Sequence, residues 1–349
     1  MKKFVLSTAN HPYEVLIGRD LIRNAGAYIS SCLPPCHLCV ITDSTVNNIY
    51  SQVVMTSLME HGYRTTKVVF PSGEHAKNLN TYSNIVEAIA DDGLNRSDGL
   101  VALGGGVVGD MTGFVASTYM RGLPYIQIPT TYMAAVDASV GGKTGINLLS
   151  GKNLVGAFWQ PSLVLCDYKT FDSLPAAKLQ DGIAEAVKCA VVSEASLIPH
   201  IQENDYEYVI ERCVSIKKSI VEADERDFSV RQLLNFGHTI AHGIEKVTSF
   251  SVPHGQAVAK GMVAEAKAAY RLGLTDTDIS GELTQILTGL GFNLTTCRNV
   301  DDLYRYALMD KKISGDKITM IIPESVGKCR LQKISLSELK EFIKAGIED

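Results

Sequence analysis

The chain has 349 residues, 46% of them hydrophobic and 20% charged, with a formal net charge of −5. That length suits two domains, and the composition is too apolar for disorder. The acidic balance excludes a global basic field for nucleic acid, and without a run of about 18 apolar residues no membrane span is expected. The apolar stretch after Lys2 and Lys3 stops at Leu6, too short for a signal peptide, so a cytoplasmic protein is expected, with its eight cysteines as free thiols.

From Tyr13 onward, short β-branched runs alternate with helical patterns, which argues for parallel βαβ units. Strands are predicted at 38–42, 65–70, 99–103, 125–128 and 163–166, and helices at 46–61 and 81–92. Cys32, Cys36 and Cys39 have the C-x3-C-x2-C spacing of a radical iron–sulfur site. Cys39 opens a buried strand and Pro34-Pro35 stiffen the loop before it, so no cluster is expected. Past Leu174-Pro175 the β-rich runs give way to helical periodicity up to about residue 312, with one strand-like run at 318–322. The expected fold is an α/β domain with a parallel sheet over 1–175, then a mostly α-helical domain over 176–349.

Gly104-Gly105-Gly106-Val107-Val108-Gly109 satisfies G-x-G-x-x-G directly after a predicted strand and opens a helix, where backbone can approach a pyrophosphate. Asp43 ends an earlier strand, where a carboxylate can accept from ribose hydroxyls. No acidic residue stands about 20 positions past the glycines, so a variant dinucleotide fold is expected; the alternative is that the glycines only permit tight strand–helix packing. Gly142-Lys143-Thr144 resembles the end of a P-loop, but Asp137 replaces the required glycine and excludes an ATPase. Lys143, and Lys152 in Gly151-Lys152-Asn153, can each offer an ammonium to an anion.

The segment 231–242 is predicted to be one helix, which would stack Arg231, Asn235, His238 and His242 on one face. Two histidines a turn apart can share a metal, or one can bind metal while the other moves protons. On a predicted helix over 179–193, Leu179, Ile183, Ala186, Val187, Ala190 and Val191 form the buried face, while Glu185 and Lys188 share the other. Glu185 is the candidate third ligand of an open zinc site, and an ordinary i,i+3 ion pair is its alternative.

Taken together, Ser72-Gly-Glu-His-Ala-Lys77, Gly104–Asp110, Pro129-Thr130-Thr131, Asp137, Gly141–Asn147, Gly151-Lys152-Asn153, Ala184–Lys188, Asp224-Glu225, Leu233–His238, His242, His254-Gly255 and Asp310-Lys311-Lys312 closely resemble the 3-dehydroquinate synthase family of sugar phosphate cyclases. The resemblance implies NAD on the first domain, a helical second domain and an active site in the cleft between them. The implied reaction closes 3-deoxy-D-arabino-heptulosonate 7-phosphate to 3-dehydroquinate with loss of phosphate, a step of the shikimate pathway. In this family bound NAD oxidises C5, which makes phosphate elimination easy, and the NADH so formed later reduces C5 again and regenerates the cofactor.

By the same resemblance Glu185, His238 and His254 are implied as ligands of zinc or cobalt, with His242 left for proton transfer or substrate binding. NAD contacts are implied at Asp43, Ser72, Gly73, Glu74, Lys77, Gly105, Gly106, Val107, Val108, Gly109, Asp110, Thr130, Thr131, Lys143, Lys152, Thr170 and Ser173. Lys143, Asn153 and Asn235 are implied at the phosphate end of the substrate, Lys217 and Arg231 at its carboxylate, Asp137 and Lys188 at its hydroxyls, and one of Lys311 and Lys312 elsewhere on it. Arg121 resembles a residue that reaches the neighbouring subunit's site, which implies a homodimer. Two positions depart from the pattern: Lys178 stands where the family often has Glu, and Ser173 where it often has Thr. The rival readings are a sister cyclase making an inosose or valiolone, a metal-dependent polyol dehydrogenase, and a catalytically inactive NAD-binding protein.

Overall fold

The computed structural model describes residues 1–8, 12–295, 299–308 and 312–348. By their internal contacts these form two units, Met1–Leu174 with Lys217–Glu222, and Pro175–Ile216 with Ala223–Asp349.

The first unit is built on β1 (Lys2–Leu6), β2 (Tyr13–Gly18), β3 (His37–Asp43), β4 (Arg64–Phe70), β5 (Gly99–Gly104), β6 (Tyr125–Pro129) and, past a separate antiparallel hairpin of β7 (Lys143–Leu148) and β8 (Gly151–Phe158), β9 (Leu163–Asp167). The seven-stranded sheet runs β1-β2-β9-β6-β5-β3-β4, parallel throughout except for the antiparallel edge β1. Alternate residues of β3 serve opposite layers, Leu38 and Val40 in one apolar cluster and Cys39 and Ile41 in the other. Both faces are therefore covered, which is why the strand reads as a continuous apolar run. Its helices are α1 (Ala25–Ile29), α2 (Ser44–Val46), which continues through a π turn into α3 (Gln52–Glu60), α4 (Leu79–Asp91) and α5 (Gly106–Thr118). Cys39 is fully buried in β3, so the three early cysteines are a strand residue and two loop thiols, and all seven described cysteines are free.

The second unit contains α6 (Ala176–Ser193), α7 (Leu197–Gln202), α8 (Tyr206–Ala223), α9 (His238–Val247), α10 (His254–Arg271), α11 (Ser280–Gly289), α12 (Val300–Ala307), and α13 (Leu336–Ile347). Residues 217–222 of α8 group with the first unit. Before α13 comes a three-stranded antiparallel sheet of β10 (Ile313–Ser314), β11 (Lys317–Ser325) and β12 (Lys328–Ser335), where a single strand was predicted. β12 escapes prediction because its sequence, KCRLQKIS, is mostly polar and only partly buried. Ser335 then starts α13 with a capping box to Glu338. No described helix is long and apolar enough to cross a membrane.

Two local expectations are corrected. The segment 231–242 is not one helix: Val230–Asn235 is a 3-10 turn, and α9 begins only at His238. Gly237 breaks it, at φ 79°, where a Cβ would meet the backbone N of Met262 at 2.8 Å. Its N–H is taken by the buried Glu265 carboxylate at 2.9 Å in place of a helical carbonyl. Likewise α6 is buried almost all round from Asp181 to Val192, so Glu185 and Lys188 are buried rather than on a solvated face.

Candidate active site

In the second unit, Glu185 from α6, His238 from the first turn of α9 and His254 from the first turn of α10 bring one ligand atom each to within 4.8 Å of one another. Glu185 divides its oxygens. Oε2 takes the Lys188 ammonium one turn on, while Oε1 lies 3.1 Å from His254 Nε2 and 3.5 Å from His238 Nε2. The ion pair and the three-residue cluster thus coexist, the pair serving one oxygen and the imidazoles the other. Each imidazole is fixed from behind: His238 Nδ1 lies 3.1 Å from the Phe236 carbonyl, and His254 Nδ1 lies 3.3 Å from Glu245 Oε1. Both rings then turn Nε2 toward the same point.

Burial pushes the Glu185 carboxyl up, but the Lys188 charge and the two imidazoles outweigh it and hold the group well below the usual range. Burial pulls the His254 imidazolium down, yet its bonds to Glu185 and Glu245 raise it to about 10. In the metal-free protein that proton supplies the positive charge that two buried carboxylates require. His242 is exposed, its ring 5.5 Å from that of His238. The 3-10 turn places Arg231 apart from this helix: it is 1% exposed, and Nη1 donates to the Glu225 carbonyl at 2.6 Å. Asp224 shapes that loop by accepting from the N–H groups of Phe228, Ser229 and Arg231 at 3.0, 2.7 and 3.1 Å. Asn235 donates to the Gln232 carbonyl at 3.1 Å.

In the first unit, α5 starts on Gly106 with Gly105 as its N-cap, immediately after β5. A Cβ on Gly105 would lie 2.9 Å from the Thr131 side chain, so glycine there lets Thr131 pack against the start of α5, where Gly105, Gly106 and Val107 stay partly exposed. Thr130 Oγ1 beside it is buried without a protein partner. Gly109 serves packing, since its Cβ would strike Gln127 at 2.8 Å. Val108 is core.

Lys77 joins residues far apart in sequence. Buried to 4% exposure, its ammonium lies 2.5 Å from both Asp110 Oδ2 and Asn153 Oδ1. Burial raises the Asp110 carboxyl and the Lys77 charge partly offsets it. Asn153 holds a left-handed φ of 55° and donates its backbone N–H to Asn147, whose amide reaches Glu74 at 2.7 Å. Lys217 donates to both the carbonyl, at 2.5 Å, and the carboxylate of Asp137. Asp43 Oδ1 caps α2 through Thr45 and Val46, and the Ser72 N–H, next to Gly73, bonds Ser44 at 3.2 Å. Lys143 opens β7 and Lys152 lies in β8, both half-buried. Arg121 is exposed in a turn where Met120, Arg121 and Gly122 all have positive φ. Lys312 is 8% exposed, while Asp310 and Lys311 lie outside the described residues.

The departures have local answers. Ser173 keeps a hydroxyl that accepts from Tyr50 at 2.8 Å and donates to the Thr170 carbonyl at 2.9 Å. Lys178 pairs with Asp181 at 3.2 Å, and the other oxygen of Asp181 accepts the Gly255 N–H at 2.8 Å, beside His254. Sequence reasoning missed Asp181, Glu245 and Glu265. Their signal was a carboxylate set among Ala, Ile and Gly on the apolar side of a helix, where a charge persists only with a partner.

Comparison with known proteins gives two family matches, the 3-dehydroquinate synthase N-terminal model over residues 67–181 and the C-terminal model over 182–313. The 3-dehydroquinate synthase of Streptococcus suis (strain 05ZYH33) is 39% identical, covering 98% of this chain and 99% of its own. Among solved structures, a 2-deoxy-scyllo-inosose synthase complexed with carbaglucose-6-phosphate, NAD+ and Co2+ is similar with a TM-score of 0.88, at 26% identity, over 99% of this chain and 100% of that one. The 2-epi-5-epi-valiolone synthase of Streptomyces hygroscopicus subsp. jinggangensis 5008, with NAD+ and Zn2+ bound, gives 0.86 at 25% identity, over 97% and 98%.

Proposed function

This chain belongs to the 3-dehydroquinate synthase family, and on that premise we propose how its residues share the work. The reaction is that of a phosphorus–oxygen lyase, closing 3-deoxy-D-arabino-heptulosonate 7-phosphate to 3-dehydroquinate with release of phosphate in the shikimate pathway to aromatic amino acids, and it uses NAD and a divalent metal. The observation that carries the reading is the convergence of Glu185, His238 and His254. Two imidazole nitrogens and one carboxylate oxygen form the donor set of an open zinc or cobalt site. The partly exposed glycine backbone at Gly105 and Gly106 and the unpartnered Thr130 hydroxyl suit a dinucleotide at the start of α5. When bound, the metal supplies Lewis acidity at a substrate oxygen and NAD a reversible hydride acceptor.

The chain's own groups do the rest. Lys188 Nζ occupies Glu185 Oε2, which leaves a single oxygen for the metal and a cation beside a substrate hydroxyl. His242, exposed one turn past His238, moves protons at its ring nitrogens. Arg231 and Lys217 receive the substrate carboxylate, Lys143, Asn153 and Asn235 its phosphate end, Asp137 a hydroxyl, and Lys312 a further contact. Asp43, Ser72, Gly73, Glu74, Lys77, Asp110, Thr131, Lys152, Thr170 and Ser173 join the glycine loop in holding NAD. The Lys77–Asp110–Asn153 contacts support this, because they tie a cofactor residue to a substrate residue.

The enzyme acts as a cytoplasmic homodimer in which Arg121 serves the neighbouring site. Free thiols fit a reducing compartment. The positive-φ turn at Met120–Gly122 and the exposed Leu154 and Phe158 of β8 fit a covered surface. The test is to assay phosphate and dehydroquinate together with substoichiometric NAD. Equal release of both, many times over the NAD supplied and without NADH build-up, is expected; conversion of that NAD to NADH followed by arrest would replace this reading with a polyol dehydrogenase.

A further inference from the structure

The two imidazoles of the cluster are held differently. His238 has a neutral backbone carbonyl behind Nδ1, whereas His254 has a carboxylate, Glu245 Oε1, at 3.3 Å. Glu245 sits on the buried side of α9, 3% exposed, next to Ile244 and seven residues past His238. A carboxylate placed there loses its hydration, and no packing gain explains a charge where Leu would fill the same space. What it gains is the N–H of an imidazole whose other nitrogen faces Glu185. His254 is also the first residue of its helix, so the preceding turn cannot lock its rotamer as the interior of a helix does.

We propose that Glu245 is the positioning residue of the metal centre: by accepting from His254 Nδ1 it fixes the tautomer that leaves Nε2 for the metal and stops the ring from rotating out of the site. The proposal rests on the reading of Glu185, His238 and His254 as ligands. An outer carboxylate of this kind orients a metal-bound histidine and raises its basicity, and its loss costs about 10–100-fold in metal affinity. Because α9 carries both His238 and Glu245, one helix would then supply a ligand directly and the support of another ligand, so any shift of α9 reaches two of the three.

The experiment uses the full chain, stripped of metal and titrated with Co2+. Affinity is measured by competition with a chelator, visible spectra report the ligand field, and proton NMR reports the imidazole N–H of His254. Glu245→Asp and Glu245→Gln separate position from charge. Asp keeps the charge but withdraws it by roughly 1.5 Å, one carbon–carbon bond. Gln keeps an accepting oxygen at full reach. The expected result is that E245D loses about 10–100-fold in Co2+ affinity with an altered spectrum and a lost slow-exchanging imidazole proton, while E245Q loses less than E245D and keeps the proton. The reverse order, with E245D near wild type and E245Q weak, would show that Glu245 acts only as a distant charge and overturn the proposal. So would both variants binding Co2+ as wild type does. Wild-type protein that fails to bind Co2+, or a Glu185→Gln variant that binds it unchanged, would instead refute the ligand set itself. Both Glu245 variants keep a polar side chain of similar size, and their metal-free unfolding temperatures give the control for folding.

Discussion

Gly261, in the middle of α10, is the most confined position around the metal cluster. A Cβ built there would lie 2.0 Å from the carbonyl oxygen of Gly237 and 3.2 Å from the N of Ala241, so α9 and α10 touch backbone to backbone. Gly261→Ala forces that carbonyl to recede from 2.0 Å to at least 3.0 Å, a displacement of about 1 Å or more at the residue preceding His238. The obstacle is backbone on both sides, so no side chain can swing away to relieve it. Overpacking of this kind costs about 1–3 kcal/mol, or roughly 2–12 °C in Tm for a unit of this size. Its effect on the site should be larger. His238 Nε2 already lies 3.5 Å from Glu185 Oε1, and a misplacement of about 1 Å is enough to lower activity on the order of 100-fold. The assay pairs differential scanning calorimetry with Co2+ titration and kcat/KM. Gly281→Ala, on α11, is the control: its Cβ meets nothing within 4 Å, so it should be neutral or stabilise by about 0.5–1 kcal/mol. Metal affinity and Tm in G261A equal to wild type would refute the claim that this contact sets the position of His238.

Glu185→Gln keeps volume and removes the charge, so metal affinity should fall about 100-fold or more while circular dichroism stays native; full metal occupancy would remove Glu185 from the ligand set. Because His254 is raised to about 10, a metal must displace its proton, and affinity should climb about tenfold per pH unit up to that value, read by titration at several pH values. The sign for metal-free stability is opposite: a raised imidazole stabilises fully below about 6.5, and that contribution is lost as pH rises from there through about 10, so a His254→Asn variant should show a flatter curve over that window. Asp224→Ala strips three backbone N–H groups of their acceptor and should cost roughly 2–3 kcal/mol and loosen Arg231, seen as a lower Tm with a raised KM. Burial pushes the Asp224 carboxyl up but those N–H groups pull it below its ordinary value, so its support is present at neutral pH and is lost only as pH falls below about 3.8. Arg231→Ala should lower kcat/KM for the heptulosonate phosphate about 30-fold to several thousand-fold, with little further loss on an analogue lacking the carboxylate; equal harm to both would make Arg231 a structural residue.

The amino-acid sequence alone determined the elements whose pattern is local. The parallel strands were legible because strands covered on both faces must be apolar along their length, as β3 and β5 are, and the glycine loop because its bare backbone is encoded in consecutive residues. The cluster of Glu185, His238 and His254 was legible through its residue types and its family pattern. Tertiary structure alone decided the rest. The 231–242 segment has helical periodicity, yet Gly237 gives its N–H to Glu265, 28 positions away, because α10 presses against it there, and no local pattern contains that competition. Lys188 and Glu185 were placed on the face opposite the buried one because periodicity cannot distinguish a solvated polar face from a buried, paired one. Lys77 with Asn153 and Glu245 with His254 are pairings made by packing. A charge survives burial only beside its partner, and the chain's path through space, rather than spacing along it, brings that partner near.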